Sequence, residues 1–265
     1  MPKFSFIIST FNESLTYLDA SIKSCLNQTF SDFDIILIND GGNFIENLWG
    51  DKRVRIYNRE FNSGLATCLN FAASVSQSEW LIRLDTDDVS TLDRLSVIHK
   101  YSSVFPEAES FVSNYFVIGV NGLSLRKINV VGKSLCDNNP FCHGTLAVKR
   151  SKFFEVGGYN ELLETTQDYE LYFRLDRSGN GITIIEDYLY KWRVHLNQVS
   201  TNKVGTQMLN TIIIKEFYCK YTSLNNFSEF YVCRKKNVKI SKINILYRRI
   251  KVIIKNYLII YATKI

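Results

Sequence analysis

The sequence predicts an α/β fold with a mostly parallel central sheet, covered by helices on both faces and followed by a helical C-terminal extension. Three observations predict it. Strand-like and helix-like patterns alternate from residue 4 to residue 84, the strand-like runs are almost continuously apolar, and the pattern beyond residue 202 is helical. With 265 residues, the chain is long enough to bury a sizeable core.

Four strand-like runs, separated by helical patterns or loops, make up the first part of the chain. In the first helical pattern, Leu15, Leu18 and Ile22 recur at spacings of three and four, which places them on one face of a helix. A second helix is predicted after Gly64. The predicted strands are Phe4–Ser9, Asp34–Asn39, Arg53–Tyr57 and Trp80–Leu84.

The pattern changes after a helix predicted near Leu92–Phe105. Two strand-like runs, 110–120 and 123–131, are separated by Asn121-Gly122, a pair typical of a hairpin turn. Further predicted elements are a strand at Gly144–Lys149, a helix with Thr166 as its N-cap, and a strand at Tyr188–Val194. We therefore divide the chain at this stage into residues 1–105, 106–200 and 201–265.

Polar residues follow three of the predicted strands at the point where each strand ends. They are Thr10 to Glu13, Asp40-Gly41-Gly42, and Asp85 to Asp88. Ligands of such sheets bind in the crevice beyond the carboxyl ends of the strands. Because these three clusters should meet at one edge of the sheet, the sequence predicts a ligand site there.

The acidic stretch Asp85-Thr86-Asp87-Asp88 points to the kind of ligand. In an extended chain Asp85 and Asp87 lie on the same face, and two carboxylates at a strand end suit a divalent cation. Such a cation keeps open positions for phosphate oxygens, so a nucleotide diphosphate is a natural ligand. The alternative interpretation of an isolated Asp-x-Asp is a solvated acidic turn.

The charge of the chain is unevenly distributed. The net charge is +6, yet residues 234–265 contain ten Lys or Arg and no acid, so residues 1–233 carry 6 − 10 = −4. Residues 242–261 mix these cations with Ile, Leu, Val and Tyr, a composition typical of an amphipathic helix on an anionic membrane surface. The alternative is a terminal helix packed on the domain. Nucleic-acid binding is not expected, because no recognised module accompanies the charge.

The cysteines and the N-terminus indicate the compartment. The six cysteines form no Cys-x-x-Cys pair and mostly sit in apolar patterns, which favours buried thiols in a reducing compartment. No signal peptide is visible, and no run of eighteen uncharged apolar residues is present. A cytoplasmic protein is expected, with peripheral association at the inner face of the cell membrane if the basic helix binds lipid.

Taken together, these stretches resemble family 2 glycosyltransferases of the GT-A fold, which has a Rossmann-like sheet and serves bacterial polysaccharide assembly. The resemblance covers roughly residues 3 to 200. Two departures are visible: Ser9 stands where the family usually has Pro, and Gln167 where it usually has Glu. The matching motifs are Ile7 to Glu13, Gln28-Thr29-Phe30, Ile38 to Gly42, Asn62-Ser63-Gly64, Arg83 to Asp88, Gly157-Gly158-Tyr159, Gln167-Asp168 and Trp192 to His195.

The resemblance implies a nucleotide-sugar donor and names the residues that hold it. Phe11 is expected to stack on uracil or another base, with core packing as the alternative, and Asp40 to accept a hydrogen bond from the base. For Arg83 an ion pair with a nearby carboxylate is the alternative to a ligand contact. The full implied nucleotide site is Thr10, Phe11, Asn12, Glu13, Asp40, Asn62, Gly64, Arg83 and Asp85.

The resemblance also implies a metal and a catalytic base. Asp87 and His195 are expected to ligate Mn²⁺ or Mg²⁺, with a structural role as the alternative for His195, while Asp88 holds the loop. Asp168 is expected to act as general base, because its place in the first turn of a helix favours the ionised form. Glu170 is a second candidate for the base, and His143 is either an acceptor-side residue or a core histidine.

The implied reaction is an inverting, metal-dependent transfer of a hexose or N-acetylhexosamine to a cell-surface glycan or lipid-linked oligosaccharide. The donor sugar is expected to be linked to UDP. Two alternatives remain open. One is a non-catalytic relative that binds a nucleotide sugar or a partner enzyme, which the replacement at Gln167 favours. The other is a haloacid-dehalogenase-type phosphatase, since Asp85 to Val89 also fits Asp-x-Asp-x-Val after an apolar strand, although that motif normally sits on the first strand.

Overall fold

The computed structural model describes residues 1–195, 198, 203–220 and 226–237. The chain forms two compact units, Met1–His195 and Leu196–Ile265. The predicted halves 1–105 and 106–200 both contribute strands to one sheet. Among the residues described, no helix is both long enough and apolar enough to cross a membrane.

The first unit is built on a nine-stranded sheet. Its order is β3-β2-β1-β4-β8-β6-β9-β5, with β7 paired to β6 outside this path. The strands are β1 (Phe4–Thr10), β2 (Phe33–Asn39), β3 (Val54–Asn58), β4 (Trp80–Arg83), β5 (Val89–Ser90), β6 (Ser110–Ile118), β7 (Ser124–Ile128), β8 (Ala147–Lys149) and β9 (Thr183–Arg193).

The first four strands are the parallel part that the apolar runs predict. β1 pairs in parallel with β2 and β4, and β2 pairs in parallel with β3. Phe4, Phe6 and Ile8 of β1 are fully buried, as expected for a central strand covered on both faces. Because the strands run in the same direction, their carboxyl ends lie along one rim, with Thr10 in register with Asn39.

Beyond β4 the sheet is mixed. β8 is antiparallel to both β4 and β6, whereas β6 and β9 are parallel and β5 is antiparallel to β9. β6 and β7 form the predicted antiparallel hairpin. The predicted fold class is confirmed, but parallel pairing is confined to the first four strands and to β6 with β9.

One predicted strand begins later than the pattern indicates. His143–Thr145 forms a single 3₁₀ turn, and β8 starts only at Ala147. A β-carbon on Gly144 would lie 1.9 Å from the hydroxyl oxygen of Tyr190, so only glycine allows the backbone to pass this ring. The turn therefore passes directly beside the buried ring of Tyr190.

Five helices flank the sheet. They are α1 (Leu15–Leu26), α2 (Leu65–Val75), α3 (Arg94–Val104), α4 (Arg150–Glu155) and α5 (Gln167–Arg177). Thr166 precedes α5 as predicted, but its side chain makes no capping hydrogen bond to the helix. Thr166 therefore occupies the predicted N-cap position, but with a left-handed φ of 61° and with its hydroxyl donating to the carbonyl of Thr165.

The second unit is helical in its described part. It contains α6 (Val204–Lys215), a π-helical segment (Glu216–Lys220) and α7 (Phe227–Asn237). The Tyr231 hydroxyl donates a 2.9 Å hydrogen bond to Asn210 Oδ1, which ties α7 to α6. The predicted amphipathic stretch 242–261 lies outside the described residues.

The cysteines follow the prediction only in part. Cys25, Cys68, Cys142 and Cys233 are free, and the first two are buried. Cys136 and Cys219 are not free thiols, so the prediction of buried thiols is wrong for these two.

Candidate active site

The three polar clusters predicted from the strand ends lie on adjoining loops. Asn12 Oδ1, after β1, accepts a 3.1 Å hydrogen bond from the Asn43 amide, after β2. Ser21 of α1 donates through its hydroxyl to the Asp85 carbonyl at 3.1 Å, which connects the acidic loop after β4 to the same rim. The parallel strands therefore bring together residues more than seventy positions apart.

Asp40 does more at this rim than the sequence predicts. Its Oδ1 accepts from both the amide and the hydroxyl of Ser63, and its Oδ2 accepts from the Gly64 amide, each at 2.8 Å. Burial by itself raises the pKa of Asp40, but the hydrogen bonds from Ser63 and Gly64 outweigh it and lower the pKa. Asp40 thus holds the loop that leads into α2, and a nucleobase would have to compete with these donors.

Gly64 is required here for its backbone conformation. Its φ is +89°, a value that only glycine adopts without strain, and a β-carbon at this position would meet no atom within 4 Å. Close approach of a ligand, the predicted reason for this glycine, is therefore not needed to explain it. Asn62, two residues earlier, is exposed.

The loop after β1 presents an aromatic side chain to solvent. Phe11 is 52% exposed, which excludes core packing and leaves its ring available. Asn12 beside it has a left-handed φ of 51°, and Glu13 is half-buried and accepts a hydrogen bond from the Ser14 amide. The side-chain oxygen of Thr10 is buried and finds no hydrogen-bond partner in the described structure.

The acidic loop after β4 divides its carboxylates between solvent and core. The side chains of Asp85 and Asp87 are partly exposed, at 31% and 18%. Asp88 is buried, and its oxygens accept 2.6 Å hydrogen bonds from the Tyr190 hydroxyl and the Arg193 amide. Asp88 therefore holds the loop against β9, as predicted.

Arg83 lies beneath this loop. It is 1% exposed, and its guanidinium donates to the Leu84 carbonyl and to Asp85 Oδ1. The ion pair with Asp85, the alternative interpretation of Arg83, is thus present. Burial raises the pKa of Asp85, while the positive charge of Arg83 opposes that rise. Because Arg83 is buried, it would influence a ligand only through its ion pair with Asp85.

Asp87 and His195 meet although 108 residues separate them. His195 Nε2 lies 2.9 Å from Asp87 Oδ2, and both side chains are largely buried. In the described residues no group of three His, Cys, Asp or Glu side chains surrounds a point. One carboxylate and one imidazole nevertheless fit a divalent cation whose remaining ligands are phosphate oxygens and water.

Asp168 stands at the start of α5. Its Oδ2 accepts a 2.8 Å hydrogen bond from Asn139 Nδ2. Burial raises the pKa of Asp168, hydrogen bonds from Asn139 and from backbone amides partly offset this, and the negative charge of Asp85 raises it further. The raised pKa makes the ionised Asp168 carboxylate a stronger base than that of an exposed aspartate.

Two secondary candidates are explained by local contacts. Glu170 is 1% exposed and pairs with Arg174 at 2.6 Å, so it is not accessible as the base, and that candidate is set aside. His143 Nε2 lies 2.7 Å from the Tyr159 hydroxyl. Burial lowers the pKa of His143 well below its usual range, aided by the charge of Arg83, so His143 is a neutral, hydrogen-bonded histidine.

Sequence reasoning missed the residues that hold the site together. Tyr190 orders the acidic loop, Ser63 engages Asp40, and Asn139 orients Asp168. Arg193 donates through Nε to the Asp87 carbonyl at 2.8 Å. Arg193 and Ser63 stand inside motifs recognised from the family resemblance, so their positions could have been flagged, whereas Tyr190 and Asn139 lie outside those motifs.

Comparisons with known proteins show the family of the chain. The family model "Glycosyl transferase family 2" matches residues 5–157. Similar curated proteins include the O-antigen biosynthesis glycosyltransferase WbnJ of Escherichia coli, 29% identical over 81% of this chain and 89% of that protein. An uncharacterized glycosyltransferase of Methanocaldococcus jannaschii is also 29% identical, over 78% of this chain and 76% of its own length.

Another similar protein of Escherichia coli is named UDP-Gal:alpha-D-GlcNAc-diphosphoundecaprenol beta-1,3-galactosyltransferase, 28% identical over 69% of this chain and 71% of its length. Among solved structures, S. aureus TarS 1-349 in complex with UDP-GlcNAc superposes with a TM-score of 0.65 at 17% identity. That match covers 81% of this chain and 66% of the TarS chain, slightly less than two thirds of it.

The family match covers more than half of the chain and includes the three rim clusters, and the TarS superposition shows the same fold. A match of this kind sets aside the phosphatase alternative, because the acidic motif lies on the fourth strand of the matched fold. The chain belongs to glycosyl transferase family 2, with the GT-A fold, and is a glycosyltransferase.

Proposed function

We propose that the protein transfers a hexose or N-acetylhexosamine from a UDP-sugar to a lipid-linked saccharide or cell-surface glycan, with inversion at the anomeric carbon. The observation that carries the proposal is the contact between the acidic loop and the end of β9, where Asp87 Oδ2 lies 2.9 Å from His195 Nε2. The negative charge of Asp85 in the same loop helps to raise the pKa of Asp168, which supports a proposed site that contains both the loop and this carboxylate. A site of this kind can hold a leaving diphosphate and an attacking hydroxyl together.

The donor assignment rests on the exposed ring and on the relatives. A nucleobase can stack on the exposed ring of Phe11. Thr10, the residue before it, has a buried hydroxyl without a hydrogen-bond partner in the described structure. The name of the Escherichia coli galactosyltransferase contains UDP-Gal, and TarS has been solved with UDP and with UDP-GlcNAc. Uracil is therefore the base we propose, with Asn12, Glu13, Asn62 and Gly64 lining the surrounding loops.

The metal assignment rests on the donor set. Asp87 and His195 would hold Mn²⁺ or Mg²⁺, because a carboxylate oxygen and an imidazole nitrogen lie within 2.9 Å of each other at the loop. When bound, the cation would neutralise charge that develops on the departing diphosphate. Arg193 and Asp88 keep the loop in place through hydrogen bonds to its backbone and to β9.

The base assignment rests on the environment of Asp168. Asp168 takes the proton of the acceptor hydroxyl as that oxygen attacks C1 of the sugar, and the bond from C1 to the diphosphate breaks on the opposite face. Asn139 orients the carboxylate through a hydrogen bond to Oδ2. The raised pKa of Asp168 strengthens its ionised form as a base.

The acceptor and the location are proposed from the relatives. A diphosphoundecaprenol-linked sugar is the acceptor in the name of one similar protein, and O-antigen biosynthesis is named for another. Such acceptors are displayed at a membrane surface. We therefore propose a cytoplasmic enzyme that works peripherally at the inner face of the cell membrane.

A thermal-shift titration tests the donor and metal assignments. UDP and Mn²⁺ together should raise the melting temperature, and binding at a hundred times the dissociation constant contributes about 2.7 kcal/mol. Either alone should give a smaller shift, and Asp87→Asn should lose the synergy between them. No stabilisation by UDP with Mn²⁺ at saturating concentration would overturn the donor assignment.

The variant Asp168→Asn separates a catalyst from a non-catalytic relative. A catalyst should keep its thermal shift with UDP-sugar and lose transfer by about 10²-fold or more. The matched control is Asp176→Asn, an exposed carboxylate at the other end of α5. If Asp168→Asn transferred sugar at the wild-type rate, the base would have to be another residue.

A further inference from the structure

The hairpin between β6 and β7 exposes an unusual set of side chains. We define the basic hairpin as residues 119–133. Val120, Leu123, Leu125 and Val131 are between 39% and 64% exposed, so the basic hairpin presents four large apolar side chains to solvent. Soluble surfaces seldom cluster apolar side chains in this way without a use for them.

The charges of the basic hairpin are all of one sign. It contains Arg126, Lys127 and Lys133, each exposed, and no acidic residue, which gives a local charge of +3. The body of the chain, residues 1–233, carries −4, so this positive patch stands out against its surroundings. Lys127 Nζ lies 5.6 Å from the centre of the Phe116 ring and 5.3 Å from that of Tyr188, which holds its charge beside an aromatic surface.

The turn that joins the two strands is ordered by its own hydrogen bonds. The Gly119 amide donates to the Leu123 carbonyl and the Gly122 amide donates to the Gly119 carbonyl, both at 2.9 Å. Gly122 has a φ of +81°, as such a turn requires. The hairpin is therefore ordered while its apolar side chains remain exposed to solvent.

In the described part of the chain, β7 pairs only with β6, so one edge of β7 is open. An open edge invites another strand, but cations on an edge strand disfavour such pairing. Arg126 and Lys127 lie on β7 itself. Apolar side chains interleaved with cations instead match the boundary of an anionic bilayer, where apolar groups enter the acyl region and cations meet phosphate headgroups.

The basic hairpin is also tied to the acidic loop. Arg193 Nη1 donates to the carbonyls of Gly119 and Val120 at 3.2 and 3.0 Å, and its Nε donates to the carbonyl of Asp87. One guanidinium therefore joins the root of the hairpin to the loop that carries the proposed metal ligand. A membrane surface bound by the basic hairpin would therefore lie next to the acidic loop.

We propose that the basic hairpin is a docking surface for anionic lipid, separate from the basic C-terminal tail. Leu123 and Val120 enter the headgroup boundary, and Arg126 and Lys127 contact lipid phosphates. The hairpin then holds the mouth of the site against the membrane that displays a lipid-linked acceptor. This property is a binding event and stands whether or not sugar is transferred.

Cosedimentation of the full chain with vesicles tests the proposal. Vesicles of phosphatidylcholine alone are compared with vesicles that also contain phosphatidylglycerol. The double variant Arg126→Gln/Lys127→Gln should weaken binding to the anionic vesicles about 25-fold, which is about 2 kcal/mol for two cations at 1.4 kcal/mol per tenfold. Leu123→Ser should weaken it about tenfold, and this loss should persist at high salt.

The matched control is Lys52→Gln/Lys100→Gln, which removes the same charge from two exposed lysines outside the hairpin. Circular dichroism and thermal unfolding establish that every variant is folded. Because the tail remains in every variant, only losses specific to the hairpin support the proposal. Equal losses in the hairpin double variant and the control, unchanged binding of both hairpin variants, or a change in self-association instead of vesicle binding would each overturn it.

Discussion

The Tyr190 hydroxyl donates a 2.6 Å hydrogen bond to Asp88 Oδ2, joining β9 to the acidic loop across 102 positions of the chain. Both groups are buried, and the Asp85 amide donates to the same hydroxyl at 3.2 Å. Tyr190 therefore fixes the position of the loop after β4. The exposure of Asp85 and Asp87 therefore depends on a residue outside the acidic motif.

Removing that hydroxyl should destabilise the protein. In Tyr190→Phe, Asp88 Oδ2 remains buried without its donor, and a buried polar atom left unpaired costs about 1–3 kcal/mol. Urea unfolding should show this loss in the free energy of unfolding. Tyr101→Phe is the control, because its half-buried hydroxyl lies 3.5 Å from Asp187 and should contribute less than about 0.5 kcal/mol. Equal effects of the two variants would contradict the role given to Tyr190.

Asp40 should stabilise the start of α2 only while it is ionised. Asp40→Asn loses the charge and at least one of three hydrogen bonds, so we expect a loss of about 2–3 kcal/mol at pH 7. Because the pKa of Asp40 is lowered in the folded state, its contribution is present above the unfolded pKa of about 3.9 and disappears as pH falls through the folded pKa. Stability of wild type and variant should therefore converge in acid.

Asp93→Asn provides the matched control for Asp40, since Asp93 precedes α3 and is exposed, with no side-chain capping hydrogen bond. Its stability should change by less than about 0.5 kcal/mol. Unfolding curves measured from pH 7 down to pH 3 compare the two. A constant difference between wild type and Asp40→Asn over this range would show that ionisation of Asp40 is not what stabilises the helix.

Asn139 should set the acid limb of the activity profile. A general base works when ionised, so transfer falls as pH drops through the pKa of Asp168, which lies above the ordinary aspartate value. Asn139→Ala removes a hydrogen bond that lowers this pKa, so the acid limb should move to higher pH. The rate of transfer against pH measures it, with the neighbouring exposed Asn138→Ala as control. A shift to lower pH would contradict the assignment of Asp168 as base.

Gly144 should tolerate no side chain while Tyr190 is present. In Gly144→Ala the new β-carbon would lie 1.9 Å from the Tyr190 hydroxyl, an overlap that forces the ring or the turn to move. Overpacking of this kind costs about 1–3 kcal/mol or more. In a Tyr190→Ala background the same substitution should cost less than half as much, because the clash is gone. If Gly144→Ala lowered the free energy of unfolding equally in both backgrounds, the strain would lie in the backbone and not in a clash with Tyr190.

The basic C-terminal stretch should contribute to membrane association through its charge. Removing residues 238–265 leaves α7 whole and deletes seven of the ten Lys and Arg in the tail. The fraction of protein that pellets with anionic vesicles should fall, and raising the salt should reduce it further in the full chain. A folded truncation that pellets as the full chain does would count against a membrane role for the tail.

Several features of this protein follow from local pattern alone. The apolar runs of β1, β2 and β4 are buried because both faces of a central parallel sheet are covered, so continuous apolarity identified them. The pair Asn121-Gly122 identified the hairpin, and the positions at which strands end identified the rim and its carboxylates. The family followed from ordered motifs, and the matched family model confirmed it.

Other features depended on which distant segments meet. Asp40 engages Ser63 and Gly64, Asp87 reaches His195, and Asp88 is held by Tyr190. The burial of Arg83 and the pairing of Glu170 with Arg174 likewise set the roles of those residues. For Asp40 and Arg83 the predicted ligand contacts remain predictions, since each now has protein partners with which a ligand would compete.

Local pattern determined the strands, their carboxyl ends and the residue types gathered there, because burial and side-chain alternation act over a few neighbouring residues. Only the tertiary structure decided which carboxylate faces solvent and which is held by the core. The order of β4, β8, β6 and β9 in the sheet brings hydrogen-bond donors from more than one hundred residues away to the acidic loop. These distant donors set the pKa of a buried carboxylate, and residues adjacent to it in the chain do not specify which donors it meets.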